Sequence, residues 1–222
     1  MAITRQAALG LAFLLGVLAA ILLSIAGLAY WQAWVFLAVF GAATTAITID
    51  LARRDPALLA RRVHAGPLAE PTARQKLIQA FASAAFLALF VIAAFDHRHG
   101  ASVPIALSIA GDVLVAIGLW IVARVFRANT FTAATIDVEQ DQQLVSTGPY
   151  AIVRHPMYAG ALVMLAGVPL ALGSWWALLA VPAMALVIVW RLRDEERRLA
   201  SDLPGYADYR TRVKHRLVPF MW

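Results

Sequence analysis

Long apolar segments alternate with short polar ones along the first half of this chain. Apolar runs cover Ala7–Tyr30, Val35–Ile49, Leu77–Phe95 and Val103–Val125, and the polar, basic stretch Asp50–Lys76 separates the second run from the third. A helix needs about 20 apolar residues to cross the hydrocarbon core of a bilayer. The first run is also longer than the core of a signal peptide, which favours a membrane span over a cleaved leader. The pattern therefore predicts four membrane-spanning helices.

Two shorter apolar runs follow a long polar connection. Met157–Leu172 and Trp175–Trp190 are separated only by Gly173-Ser174, and the chain is charged and amphipathic from Arg191 onward. Such lengths are short for a span and predict a tight helical hairpin, either tilted or shielded by other helices. The expected fold is one all-α membrane domain over residues 1–222, with about six transmembrane helices. Residues 1–125 form four spans, and residues 126–222 form the core with the hairpin and an amphipathic tail.

Composition supports an integral membrane protein. Of the 222 residues, 62% are hydrophobic and 14% are charged, and the mean hydropathy is +0.73. A soluble domain cannot bury that much apolar surface. Cysteine is absent, which excludes disulfides, thiolate metal sites and a cysteine nucleophile.

The distribution of basic residues predicts an orientation. Of the 19 Lys and Arg residues, all except Arg98 lie in the N-terminus, the Asp50–Lys76 loop, the Arg124–His155 connection and the C-terminal tail. By the positive-inside rule these regions are cytoplasmic, so both termini face the cytoplasm. The predicted location is the inner cell membrane. The net charge of +6 therefore reflects topology, and binding to nucleic acid is not expected.

A polar, aromatic segment, QQLVSTGPYAIVRHPMYAG, lies before the hairpin. Its candidate site residues are Tyr150, Arg154, His155 and Tyr158. Pro156 suits the first position of the next helix, whose free N–H groups would attract a carboxylate or phosphate. Each residue also has an ordinary explanation, as a belt aromatic, a topogenic charge or a helix cap. None of these explains the group, so we predict a polar pocket at the membrane surface.

A second polar segment, WRLRDEERRL, continues the last apolar run. Arg191 and Glu195 are four residues apart and share a helix face. They could bind a ligand, Arg191 holding an anionic group, or belong to a solvated helix with internal ion pairs. Asp112 lies within the fourth span, and we expect it to have a structural hydrogen-bonding role. His97 and His99 are too few to predict a metal site.

Several nucleotide-binding and metalloprotease motifs are absent. No two of the 13 glycines are two positions apart, so the dinucleotide fingerprint G-x-G-x-x-G cannot occur. The chain also contains neither a P-loop nor an H-E-x-x-H sequence. A Rossmann-type nucleotide site is therefore not predicted.

The motif TGPYAIVRHPMYAG, followed after one hairpin by DEERRLASDLPGYADYRTRVKHRLVPF, resembles the isoprenylcysteine carboxyl methyltransferase family. Related membrane phospholipid methyltransferases have a similar tail. The resemblance covers about the last hundred residues, Phe126–Phe220. It implies a helical bundle without a Rossmann fold that binds S-adenosylmethionine at its cytoplasmic face.

The resemblance also implies roles for particular residues. Arg191 corresponds to the position that binds the substrate carboxylate, and Glu195 to a cofactor contact, so both are candidate catalytic residues. The remaining implied cofactor contacts are Gln142, Gln143, Leu144, Val145, Tyr150, His155, Pro156, Met157 and Tyr158. Gln142 occupies a position where the eukaryotic enzymes have histidine. The sequence contains no recognisable motif for binding a prenylated protein.

The predicted reaction is methyl transfer from S-adenosylmethionine to a lipid-like or prenylated small-molecule acceptor from the bilayer. A carboxylate acceptor is favoured because it is already ionised, whereas an amine must first lose a proton. A phospholipid or amine methyltransferase on the same scaffold remains an alternative. A small transporter and a non-catalytic scaffold are further alternatives, although Asp112 is the only charged residue deep in a predicted span.

Overall fold

The computed structural model describes residues 2–63, 67–70, 72–100, 103–132, 144–219 and 221–222, and all regular structure in these ranges is helical. This confirms the predicted all-α class. The α-helices in these ranges are α1 (Ala2–Ala26), α2 (Trp31–Arg54), α3 (Pro56–Val63), α4 (Ala73–Arg98), α5 (Ile105–Ala128), α6 (Pro156–Ala171), α7 (Ala180–Asp202) and α8 (Tyr206–Arg212). Short 3₁₀ segments cover Pro67–Ala69, Gly148–Ala151 and Trp176–Leu179.

Among the described residues, five helical segments are long and apolar enough to cross a membrane. They are α1, α2, α4, α5 and the segment Trp176–Asp202 that contains α7. Each of the first four contains most of a predicted apolar run and extends beyond it into polar sequence at one end or both. Helix α6 has 16 residues, as the sequence predicted, and is shorter than a full span. Because α7 continues to Asp202, the charged sequence after Arg191 lengthens the last helix of the hairpin.

Glycines bring the backbones of α5 and α6 into direct contact. A Cβ added at Gly118 would lie 2.5 Å from the Met164 nitrogen, and one added at Gly111 would lie 2.2 Å from the Ala171 nitrogen. On α6, Gly160 and Gly167 face α5 with similarly close backbone contacts. Small residues at a membrane helix interface permit this approach. The glycines therefore fix the position of α6, whose first turn carries the polar motif.

Polar contacts at the opposite end of the bundle anchor the turn between α6 and α7. Asp96 is buried and accepts hydrogen bonds from Ser174 Oγ (2.6 Å) and the Trp176 backbone nitrogen (3.2 Å). Tyr30 donates a hydrogen bond to the Leu172 carbonyl and stacks on His97, with 3.9 Å between ring centroids. These side chains belong to α4 and the α1–α2 turn, so the hairpin is held by the N-terminal helices.

Asp112 and the C-terminal tail differ in part from the predictions. Asp112 is buried, but its Oδ1 has no hydrogen-bond partner among the described residues, so that oxygen lacks the expected structural bond. The predicted amphipathic tail is helical only as far as Arg212, where α8 ends. Tyr206 and Tyr209 are buried beside Leu203 and pack the tail against the protein. Beyond Val213 the chain instead forms turns, in which Arg216 and Leu217 donate backbone hydrogen bonds to the Trp222 carbonyl.

Candidate functional site

The segment that leads into α6 is held by the C-terminal tail. The Arg154 backbone nitrogen donates to the His215 carbonyl (2.9 Å), and the His155 nitrogen donates to the Arg216 carbonyl (3.0 Å). Helix α6 then begins at Pro156, as predicted, because proline tolerates the first helical position, where no N–H bond is needed. The two backbone bonds therefore fix the direction in which the first turn of α6 presents its side chains.

One carboxylate joins this segment to α7 and to the tail. Glu196 Oε1 accepts a hydrogen bond from Arg154 Nε (2.8 Å) and lies 3.3 Å from His155 Nε2, and Glu196 Oε2 accepts from Arg216 Nε (2.9 Å). We call Arg154, His155, Glu196 and Arg216 the Glu196 cluster. The Arg154 and Glu196 side chains are only 5% and 8% exposed. Burying such charges is tolerated only when they are paired and hydrogen-bonded, so the cluster acts as a structural clamp.

Arg154 also reaches the tail backbone. Its Nη1 donates to the carbonyl oxygens of Val213 and Lys214, both at 2.9 Å. The guanidinium thus bonds a carboxylate through one nitrogen and two carbonyls through another, which matches its planar arrangement of donors. Arg154 therefore stabilises the position of the C-terminal tail.

The neighbouring carboxylate belongs to a different group. The Tyr158 hydroxyl donates to Glu195 Oε2 (2.7 Å) and accepts a hydrogen bond from Arg191 Nε (3.2 Å). Arg191 also donates through Nη1 to Gln79 Oε1 (3.1 Å) and through Nη2 to Glu70 Oε1 (2.7 Å). We call Glu70, Gln79, Tyr158, Arg191 and Glu195 the Tyr158 cluster. It joins α4, α6 and α7 with the segment between α3 and α4.

A second arginine lies close to the Tyr158 cluster. Arg62 of α3 has its Cζ 4.9 Å from the centroid of the Phe126 ring, and its Nη1 lies 3.9 Å from Met157 Sδ. Burial lowers the pKa of the Arg62 guanidinium to about 10, so it remains protonated at neutral pH. Its charge interacts with Tyr158 and with the Arg191 guanidinium. Two cations therefore lie near Tyr158, together with the carboxylates of Glu70 and Glu195.

Tyr150 connects the site to α5 and α8. Asn129 Nδ2 donates to its hydroxyl oxygen (3.1 Å), and the Tyr209 hydroxyl donates to its backbone carbonyl (2.8 Å). Burial raises the pKa of Tyr150, so its hydroxyl is neutral at physiological pH. On the same side of the molecule, Leu144 packs against Leu203, Tyr206 and Tyr209. The tail and the segment before α6 therefore form one wall of the candidate site.

The structure brings together part of the predicted site. The Tyr158 hydroxyl bridges two other predicted residues, since it donates to Glu195 and accepts from Arg191. Pro156 and Met157 begin α6 beside them. The His155 ring lies 5.9 Å from the Tyr158 ring but contacts Glu196 rather than Glu195. Leu144 and Val145 precede the segment that carries Tyr150. Gln142 and Gln143 lie outside the described residues.

Sequence reasoning missed several partners of these residues. They are Arg62, Glu70, Gln79, Asn129, Glu196 and Arg216. Glu70 could have been noticed because it is the sole acidic residue between Asp55 and Asp96, within a basic stretch. Gln79, in the second turn of α4, and Asn129, just after α5, offered no comparable signal.

Comparison with known families supports a methyltransferase. Residues 107–203 match the family model described as phospholipid methyltransferase. This region runs from α5 through α7 and includes Tyr158, Arg191, Glu195 and Glu196. The match supports a membrane methyltransferase activity for this part of the chain and agrees with its apolar helices.

Two curated proteins are similar to part of the chain. The cobalt-zinc-cadmium resistance protein CzcN of Cupriavidus metallidurans is 31% identical over 103 residues, which are 46% of this chain and 47% of that protein. The nickel-cobalt-cadmium resistance protein NccN of Alcaligenes xylosoxydans xylosoxydans is 29% identical over 102 residues, which are 45% of this chain and 47% of that protein. The chain thus spans about half the length of each of these relatives.

Proposed function

We propose that the protein transfers a methyl group from S-adenosylmethionine to a lipid-like acceptor, as in the isoprenylcysteine carboxyl methyltransferase family, and that the acceptor is a carboxylate. The proposal rests chiefly on the hydrogen-bonded group of Tyr158, Arg191 and Glu195, which α6 and α7 bring together. The match of residues 107–203 to a membrane methyltransferase family supports the same reaction class. We also propose that this site faces the cytoplasm.

The side chains around Tyr158 suit the proposed cofactor. Glu195 is partly exposed and could accept hydrogen bonds from ribose hydroxyls or an ammonium group. Leu144, Val145 and Met157 supply apolar surface for an aromatic base. We propose that Tyr150, Pro156 and Tyr158 complete the site with Gln142 and Gln143, and that His155 contributes through its backbone because its ring contacts Glu196. When bound, S-adenosylmethionine supplies an electrophilic methyl group and becomes a neutral thioether.

The protein's contribution is then placement and exclusion of water. Holding two reactants in line can contribute about 7–11 kcal/mol to lowering a barrier. Glu70 fixes the Arg191 guanidinium at 2.7 Å, and Gln79 fixes it at 3.1 Å, so its direction is set before an acceptor binds. In this arrangement Arg191 and Arg62 orient an anionic headgroup, and Tyr158 holds the Glu195 carboxylate. No general base is required for a carboxylate acceptor.

An apolar groove provides a route for the acceptor's tail. A cavity of about 280 Å³ lies between α4, α6 and α7 and is lined by apolar side chains such as Phe86, Leu165 and Ile188. Gln79 lines it as well and also binds Arg191, so the groove adjoins the Tyr158 cluster. We propose that an apolar chain occupies this groove while its headgroup reaches Arg191.

A phospholipid or amine acceptor is the second candidate, favoured by the description of the matching family. An amine must lose a proton before it attacks. Glu195 is the carboxylate available for this task because Glu196 is bound by Arg154 and Arg216. The two candidates therefore predict different products, a methyl ester and an N-methyl group.

The test begins with binding of S-adenosylmethionine to the detergent-purified full chain by calorimetry. We expect saturable binding that Glu195→Gln weakens and that Asp208→Asn, an exposed acidic control on α8, leaves unchanged. Labelled methyl transfer to lipid extracts then identifies the acceptor class, since alkali releases methyl from an ester but not from an amine. Absence of binding by the folded wild type would overturn the proposal. An alkali-stable product would replace the carboxylate with an amine.

A further inference from the structure

A second groove lies on the flank of α6 that faces away from the Tyr158 cluster. A cavity of about 550 Å³ is bounded by α5, by the segment before α6, by α6 itself and by the tail. Its lining includes Trp120, Pro149, Ile152, Ala159 and Leu162. Tyr158, Arg191 and Glu195 are not part of this lining, so the groove is separate from the proposed methyl-transfer site.

The walls of this groove are suited to a lipid chain. Trp120 on α5 is 62% exposed, and Ile152 in the segment before α6 is 59% exposed. Apolar surface of this kind inside a membrane is covered by lipid rather than by water. A volume of several hundred cubic ångströms is typical of a ligand cavity. The groove can therefore hold an acyl chain of one specific lipid.

A cation lies at the polar end of the same groove. Arg124 is one turn after Trp120 and near the end of α5, and its Cζ lies 5.9 Å from the centroid of the Trp120 ring. Its side chain is exposed, and the described lining residues include no aspartate or glutamate. Tryptophan and arginine at the end of a spanning helix are placed at the level of the lipid headgroups. No carboxylate among the described lining residues balances this positive charge, which favours an anionic headgroup.

We propose that this groove is a binding site for an anionic phospholipid, with the phosphate at Arg124 and an acyl chain between α5 and α6. The lipid would contact Pro149, Val153 and Pro156, each of which is next in sequence to Tyr150, Arg154 or His155. The lipid would therefore stabilise the segment before α6, which forms one wall of the methyl-transfer site, from the side opposite that site. Anionic lipid thus acts as a structural ligand of the protein and is distinct from the methyl acceptor.

The test measures lipid binding directly and requires no methyl transfer. The full chain is purified in a mild detergent and titrated with phosphatidylglycerol or phosphatidylcholine, and bound lipids are counted by native mass spectrometry. Arg124→Gln removes the charge, and Ala159→Leu fills the groove. Arg193→Gln removes an exposed arginine on α7, outside the groove, and is the matched control.

We expect phosphatidylglycerol to bind more tightly than phosphatidylcholine. Arg124→Gln should weaken that binding about fivefold, the effect of removing one basic residue near an anionic surface. Ala159→Leu should reduce the binding of both lipids, and Arg193→Gln should resemble the wild type. Equal binding of the two lipids, or an unchanged Arg124→Gln variant, would overturn the proposal. If Arg124→Gln loses lipid binding but Ala159→Leu does not, the placement of the acyl chain in the groove would be overturned.

Discussion

Glu195 and Glu196 are consecutive residues of α7 with opposite surroundings. Glu196 is buried and accepts hydrogen bonds from Arg154 and Arg216. Glu195 is partly exposed and accepts one hydrogen bond from Tyr158. Successive helical side chains point about 100° apart, so one carboxylate faces the tail while the other faces the candidate site. The comparison separates a residue that holds the fold from one that is available for a ligand.

The two clusters also differ in how their charges are balanced. In the Glu196 cluster, one carboxylate contacts two arginines and a histidine, and both Glu196 oxygens accept hydrogen bonds. In the Tyr158 cluster, Glu70 pairs with Arg191, and Tyr158 lies between Arg191 and Glu195. The Glu196 cluster joins α7 to the tail and to the segment before α6. In the Tyr158 cluster, Glu195 can still accept further hydrogen bonds. Substitutions can test this distinction.

The largest expected effect is that of Glu196→Ala on stability. Removing this carboxylate leaves Arg154 as a buried charge without its partner, a loss of about 3–5 kcal/mol in the free energy of unfolding. Thermal unfolding in detergent should show a large decrease in Tm. Glu195→Ala is the control and should change the Tm little. Equal Tm values for the two variants would contradict the distinction between the clusters.

Next comes Glu195→Gln, whose main effect should be on ligand binding. Hydrogen bonds to charged groups contribute about 1.5–3 kcal/mol, so affinity for S-adenosylmethionine should fall about 10- to 100-fold. Calorimetry measures this change, and the Tm of the variant should stay close to that of the wild type. Unchanged affinity in a folded variant would remove Glu195 from the proposed site.

Tyr158→Phe should have a smaller effect on the same cluster. The hydroxyl holds Glu195 at 2.7 Å and receives Arg191 Nε at 3.2 Å, so its loss leaves both groups less well positioned. We expect about a tenfold decrease in the rate of methyl transfer, equivalent to about 1.4 kcal/mol in the barrier. Steady-state kinetics with the acceptor found by lipid screening measures it. An unchanged kcat would mean that the hydroxyl has no positioning role.

The smallest effect expected is that of Tyr209→Phe, which tests the tail side of the comparison. Loss of the 2.8 Å hydrogen bond to the Tyr150 carbonyl should cost about 0.5–1.5 kcal/mol of stability at neutral pH. Burial raises the pKa of Tyr209 above its ordinary value of 10.0. Tyrosine ionises more readily in the unfolded chain, so its contribution to stability is lost as the pH rises above about 10.

Chemical denaturation at pH 7.5 and at pH 10.5 checks this prediction. The difference in free energy of unfolding between wild type and Tyr209→Phe should narrow at the higher pH, since only the wild type contains this ionisable hydroxyl. A difference that widens with pH would show that the Tyr209 hydroxyl ionises more easily in the folded protein than in the unfolded one.

Much of the fold was predictable because the signals are local. Apolar runs indicated the helices, and Pro156 indicated the first residue of α6, since proline fits the start of a helix. The four-residue spacing of Arg191 and Glu195 placed them on one face, and in the structure both contact Tyr158. These inferences depend on helical periodicity and backbone chemistry, which act within a few residues.

Other features depended on contacts between distant parts of the chain. Glu70 and Gln79 reach Arg191 from before and within α4, more than one hundred residues away in sequence. The close approach of Gly111 and Gly118 to α6 became evident only when the two helices were packed together. Asp112 was expected to be hydrogen-bonded, but its environment leaves Oδ1 without a described partner.

The sequence by itself determined the helical membrane architecture, the start of α6 and the placement of Arg191 and Glu195 on one helix face. Only the tertiary structure shows that Glu195 contacts Tyr158 in the candidate site, whereas Glu196 binds Arg154 and Arg216 and so holds the tail. It also supplied Glu70, Gln79 and Arg62 as neighbours of the site. The physical reason is that helix formation follows local backbone and hydrophobic patterns, whereas the partner of a buried charge is set by how whole helices pack.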